Sequence, residues 1–305
     1  MNGLRTMALL AAMTALFLGA GYLIGGGGGA LVALGVAVAM NAFTFWNSDR
    51  VALWAHKAQP VTAMTHPDLL DMVADLSARA GIPTPRVYVM QSVQANAFAT
   101  GRSPERGAVA LTSALLNGLS RDEIAAVVAH ELAHIKNRDT LIMTVAATFA
   151  GAISFLANIG FLLGGNRDRG QFGVVGVLIA VFLAPLAAAL IQMTISRTRE
   201  YAADRGAAEI TGDPLALVGA LKKIAHHTTW QKMETAEANP STAHLFIANP
   251  LYGQRLDRLF STHPPIARRI AALEAMAYED GYRLPPRRKV RVRQAVSRIP
   301  KVLRR

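Results

Sequence analysis

The 305-residue sequence contains no cysteine. That excludes a disulfide-stapled secreted fold and any thiolate metal site, so a bound metal would have to take imidazole and carboxylate ligands. Charge is scarce as well. Asp, Glu, Lys and Arg make up 17% of the residues, where about 25% is usual in a soluble domain, and 52% are hydrophobic. Acid is the scarcer sign: 20 Asp and Glu stand against 32 Lys and Arg, a formal net charge of +12. Residues 283–305 carry ten Lys or Arg and no acid at all. A basic tail can mark a nucleic-acid partner. No nucleic-acid-binding module accompanies this one, so it reads as a cytoplasmic tail beside anionic lipid, and no nucleic-acid partner is expected.

The missing charges leave four long apolar runs, 7–25, 30–46, 141–163 and 172–195. A helix crossing ~30 Å of hydrocarbon needs about 20 residues, with a range of ~17–25, so the pattern predicts four transmembrane helices. Residues 7–25 resemble a signal peptide in having Arg5 ahead of them, but no small-residue cleavage site follows and a second apolar run begins at once, which favours an uncleaved span. Residues 25–29, all glycine, read as the turn of a helical hairpin, and the Gly21/Gly25 spacing as close packing within it. The connection 25–29 has no charge, and 164–171 has two Arg and one Asp. Segments 47–140 and 196–305 hold nearly all the remaining Lys and Arg, and by the positive-inside rule they lie in the cytoplasm with the N-terminus. Whether the second pair of runs crosses fully or docks as a hydrophobic hairpin is left open.

Within the first aqueous segment, 68–80 has a helical period stopped by Gly81-Ile82-Pro83. Residues 86–90 alternate and are β-branched, so they read as a strand, with 96–100 and 108–112 as weaker strands. Ser120-Arg121-Asp122-Glu123 matches a capping box and starts a helix that carries His130-Glu131-Leu132-Ala133-His134. Positions four apart share a helix face, so both imidazoles can reach one metal ion, with Glu131 offset beside it as a general base. The five-residue pattern is common by chance, and its plain alternative is two histidines on a solvated face. A suitable third ligand, Glu200, follows the fourth apolar run, where a hairpin would return the chain to the same membrane face. Asp204, one turn on, suits the carboxylate that a ligating histidine usually bonds.

These residues, with Asn96-Ala97-Phe98-Ala99-Thr100-Gly101, Val128 to Asp139, Arg199 to Asp204, Ala243-His244-Leu245-Phe246-Ile247-Ala248-Asn249-Pro250 and Ser261-Thr262-His263-Pro264-Pro265-Ile266-Ala267-Arg268-Arg269-Ile270, resemble the HtpX-type membrane metalloproteases, relatives of the CAAX prenyl endoproteases. The resemblance covers nearly the whole chain. It implies a mainly α (α+β) fold: four transmembrane helices plus a cytoplasmic zincin-like protease domain with a small β-sheet. It implies one zinc ion per chain on His130, His134 and Glu200, with Glu131 catalytic toward zinc-bound water. Asn96 would lie on a strand holding substrate backbone, and His263 and Arg269 would approach the active site. The implied work is endoproteolysis of misfolded or damaged membrane proteins in the bacterial inner membrane. His244 is a further candidate within the same motifs, His226 and His227 read as surface residues, and His56 and His66 are unassigned.

The expected division is 1–48 for the first hairpin, 49–139 and 196–282 for the two protease segments, 140–195 for the second hairpin and 283–305 for the tail. Two rival readings differ in class. A protease with its zinc motif inside a span is disfavoured by the charges flanking that motif. A catalytically silent membrane scaffold with a protease-like fold would have no need of Glu131.

Overall fold

The computed structural model describes residues 2–149, 197–252 and 264–279. No charged residue occurs between Arg5 and Asp49, and this stretch lies in α1 (Asn2–Ala55), which breaks at Gly25 (φ −138°, ψ 21°) and Gly26 (φ 58°, ψ −144°). Gly26 takes a positive φ that side chains rarely tolerate, and the two arms fold back on each other there. Asn41 Nδ2 donates to Thr14 Oγ1 at 2.9 Å and to the Leu10 carbonyl at 3.3 Å across the arms. Gly21 meets Gly29 and Ala33 of the opposite arm, where a methyl would collide. Gly21 thus serves close packing inside the hairpin, while Gly25 lies at the break and meets no neighbour, so the close contact pairs Gly21 with Gly29 and not with Gly25.

The second arm, Gly25–Asn47, is 23 residues long and apolar enough to cross a membrane by length and composition. Leu31, Val32, Val38 and Phe43 point outward from it. Of the four expected spans it alone meets that length among the described residues; Thr6–Gly19 and α5 (Asp139–Phe149) are shorter apolar helices. The rest of the third run, the whole fourth run and the basic tail lie outside the described residues.

Beyond α1 the described chain is built on a four-stranded sheet of order β1-β2-β4-β3 (β1 Gln59–Pro60, β2 Arg86–Met90, β3 Ala97–Thr100, β4 Ala108–Thr112). β2 and β4 run parallel, and β1 and β3 pair antiparallel at the edges. The outer edge of β3 is partly met by a bridge from Phe98 to Phe246 and by Ile247 N–H donating to the Ala97 carbonyl at 2.9 Å. The expected mainly helical fold with a small sheet is what is found.

α4 (Arg121–Lys136) opens on the expected capping box: Ser120 N–H donates to Glu123 Oε2 at 2.7 Å and Ser120 Oγ accepts from Glu123 N–H at 3.3 Å. From Ala126 to Ile135 every residue is buried. The helix shares one apolar cluster with β4 (Val109, Leu111), α2 (Pro67–Ala80; Val73, Leu76), α7 (Pro214–Trp230; Leu217, Leu221) and α6 (Arg197–Thr211; Ala207). α9 (Ile266–Glu279) adds Leu273 to the same cluster. Short α3 (Ser113–Gly118) and α8 (Glu234–Ala238) complete the described helices.

α6 crosses α4 closely enough that a Cβ on Gly206 would stand 2.9 Å from the Ala133 Cβ. Overpacking of this kind costs about 1–3 kcal/mol, more than the ~0.5–1 kcal/mol that alanine gains over glycine inside a helix. Gly206→Ala is therefore expected to lower the thermal unfolding midpoint of the purified chain; a rise would mean the helices do not touch there.

Candidate metal centre

One face of α4 turns His130 and His134 toward the first turn of α6, which presents Glu200. The imidazole Nε2 atoms lie 3.2 Å apart. Glu200 Oε1 is 3.6 Å from His134 Nε2, and its Oε2 is 3.9 Å from His130 Nε2. The three residues are only 1%, 5% and 3% exposed. Together they form a possible metal site, one donor atom from each lying within 4.8 Å of the others. A tetrahedral ion held at ~2.0–2.2 Å asks for donors roughly 3.3–3.6 Å apart, close to this spacing. The charge fits too. The buried carboxylates of Glu200, Asp204 and Asp139 outnumber the guanidiniums of Arg199 and Arg269 around them, an excess that the proton on His134 offsets in the metal-free centre and that a cation would offset in its place. Buried charge of one sign is stable only when countered.

Behind each histidine stands a carboxylate. His130 Nδ1 is 3.0 Å from Asp204 Oδ1 and His134 Nδ1 is 3.2 Å from Asp139 Oδ2. With Nδ1–H donating outward, both Nε2 lone pairs face the common point. Arg269 in turn grips Asp204, with Nε to Oδ2 at 2.9 Å and Nη2 to Oδ1 at 2.6 Å, while its Nη1 donates to the Ile247 carbonyl at 2.8 Å. Arg269 Nη2 also lies 3.4 Å from His130 Nδ1, but the shorter contact makes Asp204 the partner of that ring.

Asp139 entered the sequence reading only as a flanking charge. α4 ends at Lys136, and Arg138 takes a left-handed φ of 57°, which swings Asp139 back beneath His134. Helix periodicity carries no sign of such a return.

Burial sets the protonation of the group. It pulls His130 down to about 4, helped by the Arg269 charge and opposed by Asp204. Burial raises Glu131 to about 7; His134, Arg269 and the Ala99 backbone amide work against the rise and Glu200 adds to it. For His134 the burial effect is outweighed by the Asp139 hydrogen bond and the charges of Glu200 and Glu131, which lift it to about 9. Asp204 is likewise buried, yet Arg269 and His130 bring it to about 2. Glu131 Oε1 is buried without a hydrogen-bond partner among the described residues.

The other expected residues fall as follows. Asn96, just before β3, is buried; its Nδ2 donates to the Ala248 carbonyl at 2.8 Å, so it ties the strand to 246–248. Arg269 is buried within the centre. His263 lies outside the described residues. His244 is buried and contacts the Met143 carbonyl through Nε2 at 3.0 Å. His56, unassigned from sequence, is buried between Thr235 and Thr242 and packs against Phe98 and Phe246. His66, His226 and His227 are away from the centre.

Two outcomes follow. Asp139→Asn and Asp204→Asn should each weaken zinc binding about 10–100-fold, as read by competition with a chromophoric chelator. A metal must also displace the proton that the metal-free His134 holds up to about 9, whereas His130 is already neutral. Apparent zinc affinity should therefore rise roughly tenfold per unit between pH 6.5 and 8.5; a flat profile would contradict the assigned His134 state.

The family model of Peptidase family M48 matches residues 63–277, which include the whole centre. Among solved structures, the crystal structure of Ste24p from S. mikatae is similar at 18% identity with a TM-score of 0.46. That match covers 90% of this chain, which spans 65% of the length of Ste24p. The family match takes in well over half of the sequence, and on it the chain belongs to Peptidase family M48.

Proposed function

We propose that the chain is a membrane-embedded zinc endopeptidase, with its active site and both termini on the cytoplasmic side of a bacterial inner membrane, acting on misfolded or damaged membrane proteins. The observation that carries the reading is the convergence of His130, His134 and Glu200 beside Glu131, inside a family of metalloproteases. When bound, zinc supplies Lewis acidity toward the scissile carbonyl and makes water more acidic. His130, His134 and Glu200 would hold it, with Asp204 and Asp139 fixing the two rings.

Glu131 is assigned as the general base. Its proton affinity, raised to about 7 by burial, suits a group that must both accept and release a proton near neutrality. It takes the proton from water as the water oxygen bonds the carbonyl carbon. It then delivers that proton to the amide nitrogen as the C–N bond breaks. Substrate is assigned to the β3 edge at Ala99 and Thr100, the part that Phe246 and Ile247 leave uncovered, added as an extended strand. β3 runs past Glu131 at Ala99, and Asn96 fixes this edge through Ala248. Arg269, occupied by Asp204 and Ile247, is assigned to ordering the centre. His263 is proposed on the family motif alone as a group approaching the reacting carbonyl. The membrane placement rests on Gly25–Asn47 and on the apolar runs at 141–163 and 172–195.

Digestion of casein by detergent-purified chain with added zinc, beside Glu131→Gln, tests the reading. The variant should bind zinc equally but lose roughly 10²–10⁴-fold in cleavage rate, the usual contribution of a positioned base. If both proteins bind one zinc and neither cleaves, the silent-scaffold reading replaces this one.

A further inference from the structure

Where the apolar arm of α1 ends, four arginines from three separate stretches of chain converge. Arg50 lies one turn past the end of Gly25–Asn47, Arg86 opens β2, and Arg102 and Arg106 stand on the β3–β4 connection. They line a cavity of about 270 Å3 together with Trp46 and Asp49. Asp49 is the only acid on its wall and is already paired: Arg86 Nη2 lies 2.6 Å from Asp49 Oδ2. The side chains of Arg50, Arg102 and Arg106 make no hydrogen bond or ion pair among the described residues. Surface guanidiniums normally spread apart in water. Here four share one concavity with one carboxylate between them, an arrangement that repels itself until an anion enters.

The chemistry favours a phosphate. Guanidiniums present paired donors that match phosphate oxygens. The volume falls below the ~300–1,000 Å3 of sites for drug-sized ligands, which suits a headgroup better than a nucleotide. Position decides between a free phosphate and a lipid one. The cavity opens beside the end of the apolar helix, and Trp46 on its rim is 59% exposed, the placement of an aromatic at the membrane–water boundary. We propose that this cavity binds the phosphate of an anionic phospholipid headgroup in the cytoplasmic leaflet. This rests on the membrane placement proposed above and is independent of the peptidase chemistry.

The test uses the full chain with Trp54→Phe and Trp230→Phe, both exposed positions, so that Trp46 is the sole tryptophan. It is reconstituted in phosphatidylcholine vesicles containing brominated phosphatidylglycerol or, at the same mole fraction, brominated phosphatidylcholine. Fluorescence of Trp46 should be quenched by both, with the anionic lipid enriched on the order of fivefold, about what one well-placed cation adds at a membrane surface. Arg102→Gln with Arg106→Gln should abolish that excess. Lys222→Gln with Lys232→Gln, which removes the same charge elsewhere, should keep it. Equal quenching by the two lipids overturns the lipid site, as does an excess that survives loss of Arg102 and Arg106 or that vanishes equally in the lysine control. Displacement of the brominated phosphatidylglycerol by inorganic phosphate, but not by chloride at equal ionic strength, overturns the lipid as source in favour of the free anion. Absence of quenching by either lipid removes the membrane placement and the proposal together.

Discussion

The constraint on which the rest of this structure depends is the burial of ionisable groups on a helix that has almost no wet side. Ala126 to Ile135 of α4 are all enclosed, yet they include two imidazoles and a carboxylate. Each such group must be countered or it costs several kcal/mol. His130 is countered by Asp204, His134 by Asp139, and Asp204 by an arginine that is itself wholly buried. Arg269 then needs an acceptor for its remaining donors and takes the Ile247 carbonyl. Ile247 pairs with Ala97 of β3 through its N–H. One chain of charge compensation thus links α4, α6, α9, the 246–248 segment and the edge of the sheet, and places a strand edge beside the proposed zinc centre.

That coupling separates the roles of buried residues of similar type. Glu131 and Asp204 are both enclosed carboxylates, yet one is pushed up to about 7 and the other down to about 2. The difference is the company: Asp204 receives two hydrogen bonds from Arg269, while Glu131 Oε1 receives none among the described residues. One carboxylate is held permanently charged as a strut, and the other is left able to exchange a proton.

A second junction lies where the apolar segments meet the sheet. Thr140 Oγ1 donates to the Gly101 carbonyl at 2.8 Å, and the Thr100 and Thr144 hydroxyls lie 3.0 Å apart. These bonds join the end of β3 to α5, the start of the third apolar run. Asp49 holds Arg86 at the foot of α1. β3 is thereby tied to the third apolar run, and β2 to the foot of α1.

Much of this was legible in the sequence because it rests on short-range rules. The capping box at Ser120, the strand at 86–90, the glycine turn at 25–29 and the shared face of His130 and His134 each follow from local geometry within a few residues. The Glu200 and Asp204 pairing was legible only once the zinc motif gave it something to face. Asp139 was not, because its position beneath His134 depends on the left-handed turn at Arg138. Nor was the use of Arg269 as the grip on Asp204, 65 residues away in sequence, or of Asn96 as a tie to Ala248 rather than an open amide. By itself the sequence determined the elements, the apolar runs and the type of chemistry, since periodicity, capping and side-chain identity act locally. Only the tertiary structure decided which charge counters which, because that depends on distances and burial created when segments far apart in the chain share one dry interior.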